Sequence, residues 1–407
     1  MNRKPFLTPG EALEFHKDVL VVDTKMPANH GLFYNNNMRE AMKIWVEEGR
    51  LSRPEIQAKL YEMTVKELKA SEESRKEYLG IWEEAGVNVA SVTYAGPHSP
   101  DGAFETATRS LMQGRGTIDA LGEDFRLVLN ADDLERVYKD NVKGVIFDFQ
   151  DTTSIGGDLD RLDMFHNMGL RIVQLTYNLR NLVGDGCTER YKTGLTYFGI
   201  EVVERLNELK MVVDVSHCSQ QVGWDAIKFS KSPIMVTHST SNAVCYHDRG
   251  KDDDLAKAVA DNGGFFGVAA IAGFVKNDIN ATLDDYVDHV EHLINIMGID
   301  NVGIASDKCG PGPGTETMYE FPEALGPFDT SFLFKESPDP RSKPLGFNWA
   351  GFRPEHRLSD QHRMADFDKP TDWPNITLKL VERGFNEKEL RKLLGLNFLR
   401  VFRDIVG

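Results

Sequence analysis

Short apolar runs alternate with amphipathic segments along most of this chain, and that alternation predicts a parallel α/β fold. The runs fall at 18–23, 87–94, 144–149, 171–176, 211–216, 234–237, 264–270 and 302–306, with 125–129 as an accessory strand. Between them lie stretches with apolar positions at helical spacing, such as 198–208 and 283–297. Eight such units suggest a closed (β/α)8 barrel of the TIM type over residues 1–407 as a single domain; an open doubly wound sheet is the alternative. Two regions interrupt the alternation. Residues 35–74 are polar and helical in character, read as a helical insertion over the first loop or as a solvated outer helix. Residues 310–372 are proline-rich and without a sustained period. So long an irregular segment after the eighth strand is read as an insertion covering the mouth, packing Phe347, Trp349 and Phe352 there, or as a surface belt or subunit contact.

Two of the apolar runs end in histidine: Met211-Val-Val-Asp-Val-Ser-His217 and Pro233-Ile-Met-Val-Thr-His238. In a barrel of alternating strands and helices, the carboxyl ends of the strands are where chemistry is sited. Either histidine alone reads as a hydrogen-bonded strand end, but two in successive units point to a metal site, imidazole being a common ligand. Asp307 ends the run Val302-Gly-Ile-Ala-Ser and shares that mouth. It can bind a metal, act as a general base towards a polarised water, anchor a substrate ammonium, or merely cap a helix. Arg249 follows the sixth strand; its planar fork suits a carboxylate or phosphate, or a salt bridge to the acidic run 252–254.

Composition narrows the partners. Of 407 residues, 41% are hydrophobic and 27% charged, ordinary values for a globular protein. A net charge of -16 argues against a nucleic-acid groove and an anionic membrane surface. Cys187, Cys218, Cys245 and Cys309 lack CxxC spacing, so no zinc ribbon or redox pair is indicated, and a reducing cytoplasm fits best. The first seven residues are charged without the apolar stretch of a signal peptide, and no run approaches a membrane span. No phosphate-binding glycine motif follows a strand.

With Gly194-Leu-Thr-Tyr-Phe-Gly199, Asp288-His289 and the tail 390–402, these motifs make the chain resemble the membrane (renal) dipeptidase family, peptidase family M19. The resemblance covers most of the chain. It implies a barrel of the metallo-dependent hydrolase type, a dinuclear zinc centre and hydrolysis of dipeptides. It further implies that His217 and His238 hold one metal, that Arg249 meets the substrate carboxylate, and that Asp307 faces the scissile end. The chain departs from the family after the first strand, where Lys25 and Pro27 stand at the positions of a His-x-Asp pair. Gln150 replaces a bridging glutamate, and Thr153 and Tyr177 replace two further histidines.

These departures dismantle the first metal position. They leave His217 and His238, with Gln150 and Asp307 as further candidates, to hold one zinc or similar divalent cation per chain. Lys25 either supplies the charge of the missing metal to a substrate carboxylate or oxyanion, or is salt-bridged to Asp23 or Asp148. The leading expectation is a metal-dependent hydrolase acting on a dipeptide or related small amide with a mononuclear or rebuilt metal centre. The others are a non-hydrolytic enzyme using Lys25, Tyr177 and Asp307 as acid and base, and a binding protein without catalysis. A homodimer is expected from the resemblance.

Overall fold

The computed structural model describes residues 4–26, 33–48, 53–96, 100–277, 280–308, 351, 364 and 366–407. Pro27, Cys309, Phe347, Trp349, Phe352 and nearly all of 310–372 lie outside the described residues, so the expectations placed on them stay with the sequence.

Eight parallel strands run side by side: β1 (Val22–Asp23), β2 (Val89–Ala95), then, past the accessory β3 (Phe125–Leu127), β4 (Lys143–Phe149) and β5 (Leu170–Gln174). The row continues with β6 (Val212–Asp214), β7 (Met235–Ser239), β8 (Phe265–Ala269) and β9 (Val302–Ala305), while β3 pairs on the side with β4. The ends of the row meet at Thr24, whose amide donates to Ile304 O at 3.3 Å and whose hydroxyl donates to Ile304 O and Thr237 O. This is a (β/α)8 barrel of the TIM type.

Each predicted strand is present, with informative differences in length. The run 18–23 yields only a two-residue strand, because the helix Pro9–Asp18 claims its start. That helix is fixed by a capping box in which Thr8 and Glu11 bond reciprocally. The run 211–216 pairs only as far as Asp214, for a reason given below. Residues 36–48 and 53–70 are helical.

The period-2 alternation of the strands sorts two cores. Val22, Val89, Ile146, Ile172, Val212, Met235 and Phe265 form one cluster, plugged by Phe398, Val401, Phe402 and Ile405 of the helix Asn397–Val406. Residues of opposite parity, such as Val92, Phe147, Val173, Val213, Val236 and Val268, belong to the larger outer core beneath the surrounding helices. Two steps along the inner face from the plug the residues turn polar: Ser91, Asp148, Gln174, Asp214 and Thr237, all buried. An apolar floor thus supports a polar layer, and the polar layer supports the mouth. No described helix is long and apolar enough to cross a membrane.

Two glycines mark where backbones approach too closely for a side chain. A Cβ on Gly199 would sit 2.1 Å from Val183 O, which explains one glycine of the 194–199 motif; Thr196 of the same motif caps the helix Tyr197–Glu208. A Cβ on Gly267 would sit 2.1 Å from Thr237 O and 2.4 Å from Thr24 Oγ1, inside the barrel where Thr24 closes it. The oxygen is main chain and cannot swing aside. Gly267→Ala is therefore expected to lower the unfolding free energy in urea by about 3 kcal/mol, the upper end of ordinary overpacking costs. An unchanged midpoint would contradict this close approach.

Candidate active site

The site is built on a gap between β6 and β7. Their strand pairing has a single register contact, Asp214 with Met235, followed by Val215 N donating to Met235 O at 2.9 Å. Beyond this point side chains take over the ladder. Asp214 Oδ1 accepts from Thr237 N at 3.1 Å and from Ser216 N at 2.9 Å, and Asp214 Oδ2 accepts from Thr237 Oγ1 at 2.6 Å. Ser216 Oγ donates to Asp214 and accepts from His238 N at 3.0 Å. The two histidines leave the barrel from the two sides of this gap.

Their rings converge. His217 Nε2 and His238 Nε2 are 3.1 Å apart, and both side chains are buried. Each Nδ1 is occupied on the far side, by Asn178 Oδ1 at 2.7 Å for His217 and by Thr237 Oγ1 at 2.8 Å for His238. The amide oxygen can only accept, and the single proton of Thr237 goes to Asp214. Both Nδ1 atoms therefore carry the proton, and both Nε2 lone pairs face one point. Burial, reinforced by Arg249 and Lys25, holds both imidazoles well below their usual pKa and so neutral. Tyr177 stacks on His217 with ring centroids 4.0 Å apart and planes 20° apart, fixing the ring by its face as Asn178 fixes it by its edge.

Two converging neutral imidazoles, each oriented through its other nitrogen, fit one divalent cation. Among the described residues no group of three or more His, Cys, Asp or Glu is arranged to hold a metal, so the pair is not completed into a protein-built triad. Gln150, expected as a ligand, is tied through its main chain to Ala95 and Gln174, and its side-chain amide makes no hydrogen bond among the described residues. Asp307 is not a third member either. Its amide donates to Lys25 O at 2.7 Å and its φ of 50° is left-handed, an unfavourable conformation for a residue other than glycine. Burial raises its carboxyl above the ordinary range, against the opposing fields of Arg249 and Lys25.

Lys25 is fully buried and paired with Asp148, Nζ to Oδ1 at 2.6 Å, with a second bond to Thr93 Oγ1 at 3.1 Å. Of the two partners anticipated for it, the structure selects Asp148. Asp23 instead accepts from Ser306 N at 2.9 Å and from the indole of Trp373 at 2.9 Å, and burial pushes its carboxyl up to about 6. A second divalent cation at Lys25 does not fit an ammonium already there.

Of the two readings of Arg249, the salt bridge to the acidic run is not formed among the described residues. It bonds no residue of the 252–254 run through its guanidinium; Nη1 donates to Ser216 O and Nη2 to His238 O, clamping both sides of the β6–β7 gap, while the buried Nε has no partner among the described residues. Lys251 lies beneath, bonded to Cys218 O at 2.6 Å, its ammonium lowered by burial to about 8. A cleft opens beside Tyr177, bounded by Asp151, Thr153, Leu179, Arg180 and Leu182. Asn178, Asp214, Ser216 and Thr237 were not singled out from sequence, although three of them stand inside the histidine motifs themselves.

A parallel barrel with a paired-imidazole centre at the strand ends defines the class, and comparison with known proteins names the family. Residues 17–322 match the family described as membrane dipeptidase, peptidase family M19. The chain belongs to this family of peptidases. It is 33% identical over 196 residues to an uncharacterized protein in the pqqA 5' region of Klebsiella pneumoniae, covering 46% of this chain and 72% of that one. It is 30% identical over 215 residues to an uncharacterized dipeptidase of Schizosaccharomyces pombe, covering 50% of this chain and 51% of that one. The match thus spans about half the length of that dipeptidase. An amidohydrolase from Pseudomonas aeruginosa shares the fold with a TM-score of 0.71 and 25% identity, over 98% of this chain and 100% of that one.

Removing the amide that orients His217 tests the centre. Asn178→Ala is expected to weaken Zn2+ binding to the chelator-stripped protein by 10–100-fold, read by calorimetry, the usual cost of losing a ligand's outer partner. Unaltered affinity would mean that the imidazole pair is not the binding point.

Proposed function

We propose that this chain hydrolyses a dipeptide or related small amide, using one divalent cation, zinc or similar, held by His217 and His238. The observation that carries this reading is the pair of Nε2 lone pairs 3.1 Å apart on imidazoles whose Nδ1 protons are committed elsewhere. Membership of a dipeptidase family supports it independently. A divalent cation at that point supplies Lewis acidity, polarising a carbonyl and easing deprotonation of water.

The chain's own residues divide the remaining work. Asp307, held in a left-handed conformation two residues past β9, takes the proton of the attacking water as the new C–O bond forms. It returns that proton to the amine nitrogen as the C–N bond breaks. Its raised pKa suits a group that must both accept and release a proton. Arg249 keeps its Nε–H, buried and without a partner among the described residues, to offer a substrate carboxylate, one N–H of each Nη being bonded to Ser216 O and His238 O. Tyr177 holds the plane of His217 and walls the cleft, which would receive a substrate side chain.

The same reading sets the protein in the cytoplasm, on the support of Cys187 and Cys218, both free thiols. It also takes the working form as a homodimer, on family resemblance.

Two substitutions test it on a panel of dipeptides. Asp307→Asn should lower kcat by about 100-fold or more with little change in KM, as expected for a lost general base. His217→Ala should abolish both metal retention and turnover. Full activity in either variant would remove the assigned chemistry.

A further inference from the structure

Lys25, Asp148, Ser91 and Thr93 form a closed polar cluster on three neighbouring strand ends, at the level of the mouth and fully or almost fully buried. Both oxygens of Asp148 are engaged: Oδ1 accepts from Lys25 Nζ and Thr93 Oγ1, at 2.6 and 2.8 Å, and Oδ2 accepts from Ser91 Oγ at 2.6 Å. Lys25 is not saturated. An ammonium has three protons, two of which go to Asp148 and Thr93, and the third has no acceptor among the described residues. Its main chain is equally constrained, since Lys25 O accepts from Asp307 N and from Ser306 Oγ. The position of the ammonium is thus set by β1, β2, β4 and the segment after β9 together.

A buried ion pair is a poor way to gain stability, because desolvation of both charges offsets their attraction. An apolar pair of equal volume would serve the barrel as well. The cluster does adjoin the site, however: Lys25 O accepts from Asp307 N at 2.7 Å. Hydrolysis of an amide places negative charge on the carbonyl oxygen, and that charge needs fixed donors or cations nearby. In a two-metal centre the second metal shares this work with the first.

We infer that the Lys25 ammonium, anchored by Asp148, stands in for a second metal, so that the centre loads one divalent cation only and Lys25 offers its third proton to an anionic oxygen of the substrate. This rests on the hydrolase reading for its substrate but not for its cation count. It departs from the dinuclear centre that family resemblance implies, and the reason is local: a fixed ammonium already fills the position.

The experiment uses the whole chain, stripped with chelator, titrated with Zn2+ and desalted, with bound metal counted by elemental analysis. Wild type should retain one equivalent per chain. Lys25→Met with Asp148→Asn removes both charges at once, leaving no buried carboxylate unpaired, so the barrel should fold with an unchanged melting temperature and still retain one equivalent. Its kcat on any dipeptide that wild type cleaves should fall by about 100-fold, the usual loss for an oxyanion donor. Lys25→Arg should recover part of that loss. Two equivalents in wild type, or none, would overturn the inference, as would wild-type kcat in the double variant. One equivalent in a wild-type protein that cleaves no dipeptide would refute the hydrolase reading and leave the single-cation inference supported.

Discussion

The carboxylate of Asp214 is the tie on which the rest of the site depends. At the end of β6 the backbone ladder to β7 gives out, and Asp214 continues it through Thr237 N, Thr237 Oγ1 and Ser216. Hydrogen bonds to a buried charged group are worth about 1.5–3 kcal/mol each, and leaving their donors unsatisfied costs a similar amount. The two strands are therefore held apart at their carboxyl ends without being loose. That separation lets His217 and His238 turn towards each other. It also gives Arg249 its seat, since the carbonyls of Ser216 and His238, freed from ladder bonding, become the acceptors of the guanidinium.

Charge around the pair follows from the same arrangement. Lys25, Arg249 and Lys251 are all buried near the histidines, and each depresses the protonation of both rings. Only an unprotonated imidazole has a lone pair to offer, so burial first, and these cations after it, keep the rings in the form that can ligate. The same cations oppose a metal dication, since like charges at short range in a poorly polarisable interior repel strongly. Pairing Lys25 with Asp148 limits the repulsion, because a compact ion pair has a weak field at a distance.

The architecture was legible in the sequence because parallel strands buried on both faces leave near-continuous apolar runs. All eight runs are strands, and 198–208 and 283–297 fall within helices. The convergence of His217 with His238 was legible for the same reason: strand ends in successive units share a mouth. The outer partners were not. Asn178 sits on a loop 39 residues before His217, and no local pattern connects them. Arg249 read as a fork for a carboxylate or phosphate or as a partner of the acidic run, whereas carbonyls freed by a ladder gap have no signature in residue types. Lys25 had two plausible carboxylates, Asp23 and Asp148, and only the fold decides between them. Asp23 faces Trp373 and the outer core, while Asp148 faces inward beside Lys25.

The layering of the barrel explains how so many buried charges are tolerated. The floor, from Val22 to Phe265, is closed by Phe398 and Phe402 of the last helix, with Phe265 and Phe398 meeting edge to face at 5.6 Å. Water cannot enter from that end. Each carboxylate of the polar layer must then find its donors within the barrel, and Asp148 and Asp214 do so from neighbouring strands. A network satisfied in this way is rigid, since moving any strand end breaks several bonds together. Rigidity is what two imidazoles need to keep their nitrogens 3.1 Å apart with no proton between them. The apolar plug and the polar centre are thus one device: the first excludes water, and that exclusion commits the second to a single arrangement.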